Sequence, residues 1–457
     1  MTKLRRLNLL GIVVVLALIL AACGGDGGTT TTAESGTETT EAPTDTTEAP
    51  TETTAAGGDA AAACEADEFG CAEVGAGEPV KIGSLLVITG ANASLGTDSQ
   101  YGVELALDYW GDGAFDETVG QIKGHDLSLV AEDDGCSAEG GTAGAQALVA
   151  DTGISAVIGT SCSSAALGVA DRIFSEQGVA IVSPSNTGPA LTDPATHQPF
   201  YLRTAHNDKI QGAAVANFAY TELGLTTAAT IHDGSPYADG LQQVFADTFT
   251  GLGGTITRQE AIQVGDTDFN PVLTDIATDA PQFLYFPIFV AEGGLITQQA
   301  RAIDGLADTV LAGSDGMFTP DWIEAAGAEN ANGVYISGPD LAAFTGDVDF
   351  YNDEFIPTYT ERYGEPQSVF HAHAWDATNM VLTAIDAVSI EDGDSLFIPR
   401  TALKDALFGT TDFPGITGNL GCDENGDCQP SATIAVVTVE DGAFSTAVYS
   451  EEGTLAG

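Results

Sequence analysis

Apolar and polar residues along positions 79–457 form short apolar runs that alternate with amphipathic segments. The apolar runs are typical of buried strands, and the segments between them repeat apolar residues at helix spacing. The predicted strands cover 80–89, 127–132, 156–159, 179–182, 228–232, 255–258 and 283–286, and the predicted helices cover 100–110, 142–150, 165–174, 210–223, 240–250, 271–278 and 295–303. Two successive series of strand–helix–strand units predict an α/β fold of two doubly wound lobes with parallel sheets.

The amino terminus differs, with three basic residues followed by an apolar run over 9–22. This run is shorter than the ~20 residues of a membrane-spanning helix, and it is typical of a secretory signal. Residues 20–23 read Leu-Ala-Ala-Cys, which resembles the bacterial lipobox, where the cysteine is acylated and the signal is cut before it. We expect a lipoprotein signal peptide at 1–22; an uncleaved anchor helix is the alternative.

A diacylated Cys23 would carry two acyl chains, which is what stable anchoring in a membrane requires. No other stretch is long and apolar enough to span a bilayer. We therefore expect the protein to be extracytoplasmic and attached to the cell membrane through lipid.

Residues 23–78 are predicted to be the lipidated cysteine and a disordered acidic, Thr-rich tether. Positions 24–63 show no apolar periodicity, and the sequence TTEAPT occurs at 39–44 and again at 46–51. Such a segment cannot bury enough apolar surface to offset the entropy of ordering. As a flexible coil it would hold the folded body roughly 35 Å from the membrane.

The negative net charge of the chain argues against polyanionic partners. The 457 residues include 66 Asp and Glu against 13 Lys and Arg, for a formal net charge of −53. Nucleic acid is a poor partner because its phosphates need basic side chains, and an anionic membrane surface repels the chain unless a covalent anchor holds it. The acidity has two interpretations. It could serve solubility, or it could be an adaptation to saline surroundings in which salt screens the self-repulsion of the chain.

Seven cysteines leave one over if the others form pairs, and outside the cell pairing is the default expectation. The candidate pairs are Cys64 with Cys71, Cys422 with Cys428, and Cys136 with Cys162. Metal binding is the alternative, but the spacing is not Cys-x-x-Cys and no histidines cluster nearby. The acidic stretch 423–427 begins like a calcium loop, yet Cys428 and Ile434 replace the required Gly and Glu, so we predict a disulfide-clipped turn.

Ligands of doubly wound sheets bind at the carboxyl ends of the strands. The loops at these ends are 89–96, 161–164, 183–189, 233–237, 286–294 and 312–317, most of them rich in Ser, Thr and Gly. None has a dinucleotide-binding, phosphate-loop or Gly-x-Ser-x-Gly hydrolase pattern. We therefore predict no cofactor, metal or catalytic residues.

Six motifs occur in order along the folded region. They are Gly83…Thr89-Gly90…Gly96, EDDGC at 132–136, VIGTSCSS at 157–164, SPSNTGP at 183–189, HDGSPY at 232–237 and GDTDF at 265–269. Together they resemble the branched-chain amino-acid-binding proteins, the leucine/isoleucine/valine-type periplasmic solute receptors of ABC importers. The resemblance covers nearly all of 79–457.

The resemblance implies a type I periplasmic binding protein fold, in which two lobes joined by a three-strand hinge close on a ligand. The crossings are expected near Arg203, Gly338 and Ala432. Lobe 1 would then comprise 79–204 and 339–431, and lobe 2 would comprise 205–338 and 432–457. The implied partners are a small-molecule ligand, with an amino acid favoured, and an ABC permease.

On lobe 1, the resemblance implies that Ser163 and Ser164 meet the ligand carboxylate at a helix N-terminus, which favours an anion. Thr187 would contact both ends of the amino acid, and a backbone carbonyl at Ser185 would meet the ammonium group. A capping serine and an ordinary turn are the alternative interpretations. The family's disulfide beside the carboxylate loop matches Cys136 and Cys162, and closing a loop of about 27 residues adds about 3 kcal/mol of stability.

On lobe 2, the resemblance implies that Asp315 pairs with the ammonium and that Tyr237 lines the cleft. Asp315 stands where the leucine receptors have Glu, and a charge-assisted bond of this kind is strong. Phe289 and Leu95 replace aromatic residues that are common in the family, which makes the wall more apolar and suits an aliphatic side chain. Both could instead be ordinary core residues.

The function predicted from the sequence is capture of an amino acid of the branched-chain type, or a related small molecule, for an ABC import permease. One alternative is a receptor for amides, urea or short organic acids in sensing or transport. A secreted hydrolase is a second alternative, although no nucleophile–base pair is visible. Histidines 371 and 373 are two apart on a predicted helix and cannot chelate one metal together, so both are expected to be structural.

Overall fold

The computed structural model describes residues 58–115, 118–429 and 431–455. The predicted signal peptide, Cys23 and the tether up to residue 57 lie outside the described residues. Within the described part, strands and helices alternate as the apolar pattern predicts. No helix there is long and apolar enough to cross a membrane.

The strands form two large sheets and two small ones. In chain order they are β1 (Cys71–Val74), β2 (Val80–Leu86), β3 (Gln121–Ile122), β4 (His125–Asp133), β5 (Ile154–Gly159), β6 (Ala180–Ser183), β7 (Tyr201–Arg203), β8 (Thr227–His232), β9 (Thr255–Ala261), β10 (Phe283–Tyr285), β11 (Val310–Gly313), β12 (Tyr335–Pro339), β13 (Ile390–Asp392), β14 (Ser395–Pro399), β15 (Phe413–Pro414), β16 (Asn419–Leu420), β17 (Ser431–Glu440), β18 (Ala443–Phe444) and β19 (Tyr449–Thr454).

The helices lie between these strands. They are α1 (Gly58–Ala66), α2 (Ala93–Tyr109), α3 (Ala138–Ala150), α4 (Ser163–Ala165), α5 (Asp171–Glu176), α6 (Asp208–Asn217), α7 (Pro236–Gly251), α8 (Asn270–Ala277), α9 (Val290–Arg301), α10 (Pro320–Ala326), α11 (Ala328–Ala331), α12 (Val348–Phe350), α13 (Ile356–Tyr363), α14 (His371–Val388) and α15 (Arg400–Phe408). Shorter turns are π-helical at Ala166–Ala170, Phe218–Glu222 and Tyr351–Phe355, and 3₁₀ at Pro189–Leu191, Asp304–Leu306, Asp315–Met317 and Leu341–Ala343.

Lobe 1 is the body around a six-stranded sheet in the order β3-β4-β2-β5-β6-β7. The strands from β4 to β7 are parallel, and β3 is an antiparallel edge. Every residue of β5 and β6 is buried, as expected when helices cover both faces of a parallel sheet. One face packs on α2 and α14, and the other on α3 and the helical run from α4 to α5.

Lobe 2 is the body around an eight-stranded sheet in the order β18-β17-β12-β11-β10-β8-β9, with β19 on β17. The strands from β9 to β12 are parallel, and β17 joins β12 antiparallel. Its core holds large aromatic side chains on both faces of the sheet, among them Phe245, Phe249, Tyr285 and Trp322.

Three segments connect the lobes. The first runs from the end of β7 at Arg203 to the start of α6 at Asp208, where Asn207 caps the helix by accepting from the Lys209 amide at 3.0 Å. The second leaves β12 at Pro339, and the third enters β17 at Ser431. The fold is therefore two doubly wound α/β lobes joined by a three-strand hinge.

The prediction of a disordered tether up to residue 78 is wrong for residues 58–78, which form α1 and β1. Strand β1 pairs antiparallel with β14, and it buries Ala72 and Val74 to 0 % and 3 % exposure. The Asp67 carboxylate also accepts hydrogen bonds from the Thr401 amide and hydroxyl, both at 2.8 Å. These long-range contacts order a segment in which Phe69 and Val74 are the only large apolar side chains.

Each of the three predicted cysteine pairs forms a disulfide: Cys64–Cys71, Cys136–Cys162 and Cys422–Cys428. None of these six thiols is therefore free to bind a metal. The stretch 423–427 is a disulfide-clipped turn in which Asp423 accepts from the amides of Asn425 and Asp427 at 2.8 and 3.0 Å.

Candidate ligand-binding site

Loops at the carboxyl ends of the strands in both lobes meet one another. The Thr319 hydroxyl of lobe 2 donates to Ser94 Oγ of lobe 1 at 3.1 Å, and the turn Pro189–Leu191 packs against α7. Of the eight residues that the resemblance implies for the site, seven are buried and Ser164 is half-buried. At most 9 % of each of the seven is exposed: Leu95, Ser163, Ser185, Thr187, Tyr237, Phe289 and Asp315.

Asp315 opens the 3₁₀ turn after β11, and two donors hold one of its oxygens. Tyr237 Oη and Gln211 Nε2 each donate to Asp315 Oδ1 at 2.8 Å. Burial raises the pKa of Asp315 to about 6, and these hydrogen bonds offset only part of that rise. The structure thus brings Tyr237 and Asp315 into direct contact.

The Phe289 ring borders this pair, with its centroid 5.2 Å from that of Tyr237. Leu95 reaches from α2 of lobe 1 into the apolar cluster that lobe 2 mainly forms. Both side chains therefore belong to the core and also lie at the junction of the lobes, where they could form an apolar wall.

The segment from β7 into α6 supplies three polar residues that the sequence analysis missed: His206, Asp208 and Gln211. His206 Nε2 lies 2.5 Å from Gln211 Oε1, and the Gln211 amide reaches both Asp315 and Ser337 Oγ. Burial lowers the pKa of His206 to about 4, so the imidazole is neutral near pH 7. The signal for His206 and Asp208 was the stretch from Thr204 to Asp208, which is polar except for Ala205 and lies at a predicted crossing.

Asp208 is fully buried, and neither of its carboxylate oxygens has a hydrogen-bond partner. Burial and the charge of Asp315 both raise its pKa well above the usual range. One ligand atom each from His206, Asp208 and Asp315 lies within 4.8 Å of the other two. Among the described residues, this group could hold a cation such as an ammonium.

The opposite wall belongs to lobe 1 and offers hydroxyl groups and amides. Ser163 begins α4, and its Oγ accepts a hydrogen bond from the Gly188 amide at 3.1 Å. The Ser163 hydroxyl hydrogen remains available to donate to an anion. The Ser164 hydroxyl instead donates to the Cys136 carbonyl at 3.1 Å, so its side chain faces the disulfide.

The loop after β6 carries Ser185 and Thr187 and is fixed on both sides. Ser185 Oγ donates to the Ser161 carbonyl at 3.1 Å, and the Asp208 amide donates to the Thr187 carbonyl at 3.0 Å. Thr187 Oγ1 is buried without a hydrogen-bond partner. This hydroxyl could therefore contact a ligand.

A fully buried Arg203 supports this loop from behind. Its Nη1 donates to the carbonyls of Asn186 and Gly188 at 3.1 and 3.0 Å, and its Nε lies 2.5 Å from Asp427 Oδ1. The Asn207 amide group donates to the other Asp427 oxygen at 3.2 Å. Asp427 is in the disulfide-clipped turn, so that turn holds both the hinge and the loop of Thr187.

Asp134 supports the loop of Ser163, as Arg203 supports the loop of Thr187. Its carboxylate accepts from the amides of Cys136 at 2.7 Å and Ser161 at 2.6 Å, beside the Cys136–Cys162 disulfide. Burial raises the pKa of Asp134 to about 7, although these amides lower it in part. Asp134 positions the loop rather than facing the cleft.

The family described as "Periplasmic binding protein" matches residues 79–443. The chain belongs to this family. The Leucine-, isoleucine-, valine-, threonine-, and alanine-binding protein of Pseudomonas aeruginosa is 28 % identical over 352 residues, which are 77 % of this chain and 88 % of that protein.

Solved structures of such binding proteins have the same fold. The leucine-binding protein LivK of Thermotoga maritima is 27 % identical, with a TM-score of 0.69 over 80 % of this chain and 97 % of that one. The branched-chain amino acid binding protein LivJ of Streptococcus pneumoniae, solved in complex with isoleucine, is 26 % identical, with a TM-score of 0.69 over 82 % and 99 %. The fold of this chain is therefore similar to that of both solved binding proteins.

Proposed function

We propose that this periplasmic binding protein captures a zwitterionic amino acid with an aliphatic side chain between its lobes. The observation that carries the proposal is the buried Asp315 carboxylate, held by Tyr237 and Gln211 at 2.8 Å and enclosed with no basic side chain among its hydrogen-bond partners. A buried charge is costly unless a charge of opposite sign meets it. An ammonium group supplies that charge.

The carboxylate end of the ligand would lie against lobe 1. Ser163 can donate its hydroxyl hydrogen, and the first amides of the helical run that begins at α4 have no partner within the helix. A helix N-terminus also favours an anion through its dipole. Thr187 Oγ1, buried and without a partner, would lie between the two ends of the ligand.

The side chain of the ligand would face Leu95 and Phe289. Both residues offer apolar atoms only, so an aliphatic group gains from burial there, by about 25 cal/mol for each Å² of apolar surface removed from water. Relatives whose names state leucine, isoleucine and valine support this choice.

We also propose that the protein acts outside the cytoplasm, anchored by lipid at Cys23, and delivers its ligand to an ABC import permease without covalent chemistry. The lipobox at 20–23 supports the anchor, and the family supports the transport role. Cys23→Ser is expected to move the protein from the membrane fraction to the soluble fraction. Unchanged membrane association of that variant would refute the anchor and leave ligand capture untouched.

A thermal-shift screen of the soluble body tests the ligand class. Aliphatic amino acids, amides, urea and short organic acids are compared at equal concentration, because a ligand at 100 times its Kd adds about 2.7 kcal/mol to the free energy of unfolding. We expect branched-chain amino acids to raise the melting temperature most. If only an amide or an acid raises it, the proposed ligand class is wrong.

A further inference from the structure

Asp208 is a buried carboxylate that the described contacts leave without a counter-charge. Its side chain has 0 % exposure, and neither of its oxygens accepts a hydrogen bond of good geometry. The Thr187 hydroxyl is near enough to lower the pKa of Asp208, but it carries no charge. Its own backbone amide donates to the Thr187 carbonyl at 3.0 Å, which fixes Asp208 beside the loop proposed to meet the ligand. A group in this state is expected to have a function, since burying an unpaired charge is costly.

The nearest formal positive charge is already neutralised. Arg203 donates to Asp427, to the carbonyls of Asn186 and Gly188, and to Thr192 Oγ1. Its charge lowers the pKa of Asp208 but does not offset the effects of burial and Asp315. The imidazole of His206 is neutral, because burial lowers its pKa to about 4. Asp208 and Asp315 therefore face each other with no cation between them.

Building on the proposed function, we propose that Asp208 and Asp315 form one ammonium site that holds a single shared proton when empty, and that the ligand's ammonium displaces this proton. Two carboxylates with ligand atoms within 4.8 Å cannot both ionise readily. The proton leaves the pair for bulk water as the ammonium enters. The net charge of the site stays at −1 in both states, so the pair accepts a primary ammonium and not a neutral amide.

The groups packed around the pair do not titrate in its place. Burial raises the pKa of Tyr237 on α7 and of Tyr285 on β10 well above the usual range, and both stay protonated. Gln211 on α6 and Ser337 on β12 do not titrate. Asp134 in lobe 1 has a pKa raised to about 7. The experiment must therefore distinguish its proton from the proton of the Asp208–Asp315 pair.

Isothermal titration with L-isoleucine in MES and in Bis-Tris, which both buffer near pH 6 and differ in ionisation enthalpy, counts the protons released. At pH 5.5–6 we expect wild-type protein to release about one proton more than Asp208→Asn. The affinity of the wild type should fall as the pH is lowered from 7 to 5.5, whereas Asp208→Asn should lose most of this dependence. Asp239→Asn, which removes a carboxylate that is 60 % exposed on α7, should release as many protons as the wild type.

Equal proton release by wild type and Asp208→Asn would overturn the inference. Any proton that Asp134 releases is released by both proteins, so its contribution cancels in this comparison. If Asp208→Asn does not fold, Asp208→Ser provides the same comparison. Binding of isoleucine by wild type with no proton release at pH 5.5–6 would also refute the shared proton while the proposed function stands. No binding of any amino acid would instead refute the proposed function.

Discussion

Tyr237 Oη donates a hydrogen bond of 2.8 Å to the Asp315 carboxylate and lies 2.7 Å from Ser314 Oγ. The same oxygen accepts from the Gly316 amide at 3.3 Å. One hydroxyl on α7 therefore fixes the turn after β11, and with it the direction of the acid proposed to meet the ligand.

Tyr237→Phe is expected to weaken binding of isoleucine roughly ten- to hundred-fold. The lost hydrogen bond to a charged group is worth about 1.5–3 kcal/mol, and the ring that packs against Phe289 is kept. Calorimetric titration at pH 7.5 gives the Kd. Tyr335→Phe removes a hydroxyl from a β12 ring that packs against Phe218 instead of Phe289, and it should leave the Kd unchanged; equal affinity of both variants would contradict the role of Tyr237.

Asp427→Asn is expected to destabilise the protein by about 3–5 kcal/mol, because it leaves the buried Arg203 without its counter-charge. Arg203 and Asp427 are 0 % and 5 % exposed at the side chain. Urea unfolding monitored by circular dichroism measures the change. Since Arg203 also holds the carbonyls beside Thr187, the affinity for isoleucine should fall as well.

The matched control for that variant is Asp151→Asn, which breaks the ion pair between Lys81 and Asp151. That pair has a similar distance of 2.7 Å but is 34 % and 39 % exposed, and exposed ion pairs contribute about 1 kcal/mol or less. If both variants lose the same stability, the Arg203–Asp427 pair does not hold the hinge.

Asp98 should make the free energy of unfolding decrease as the pH falls into the acidic range. Burial would raise the pKa of Asp98, but the His371 imidazole and hydrogen bonds from Tyr359 and the Phe370 amide lower it below its usual value. Its stabilising contribution is therefore present above about pH 4, the usual range of an unfolded Asp, and is lost as the pH falls further. The difference in unfolding free energy between wild type and Asp98→Asn should shrink from pH 5 to pH 3; a constant difference would contradict this.

The excess of acidic side chains should make the melting temperature depend on salt. With 66 acidic and 13 basic residues, the folded chain repels itself, and salt screens this repulsion. We expect the melting temperature to rise between 10 mM and 1 M KCl. A melting temperature that stays constant or falls would favour solubility alone as the reason for the acidity.

The apolar pattern predicted the alternating fold because buried parallel strands are nearly continuous apolar runs. Once the strands are located, the loops at their carboxyl ends, where ligands bind, are located as well. Asp208 and His206 could not be found in this way, since they lie on a crossing rather than on a strand-end loop of either predicted series. Their role depends on burial and on the approach of Asp315 from β11, which only the three-dimensional structure shows. The ordered segment 58–78 escaped prediction because its stability comes from β14, more than 300 residues further along the chain.

The most direct test of the central claim compares three ligands of nearly the same shape on wild-type protein by isothermal titration at pH 7.5. The ligands are L-isoleucine, its deaminated acid 3-methylpentanoate, and its decarboxylated amine 2-methylbutylamine. Ligand capture through Asp315 on one lobe and Ser163 on the other predicts that only isoleucine binds tightly, because each analogue leaves one charged or polar wall unmatched. Binding of 3-methylpentanoate as tight as that of isoleucine would contradict the account.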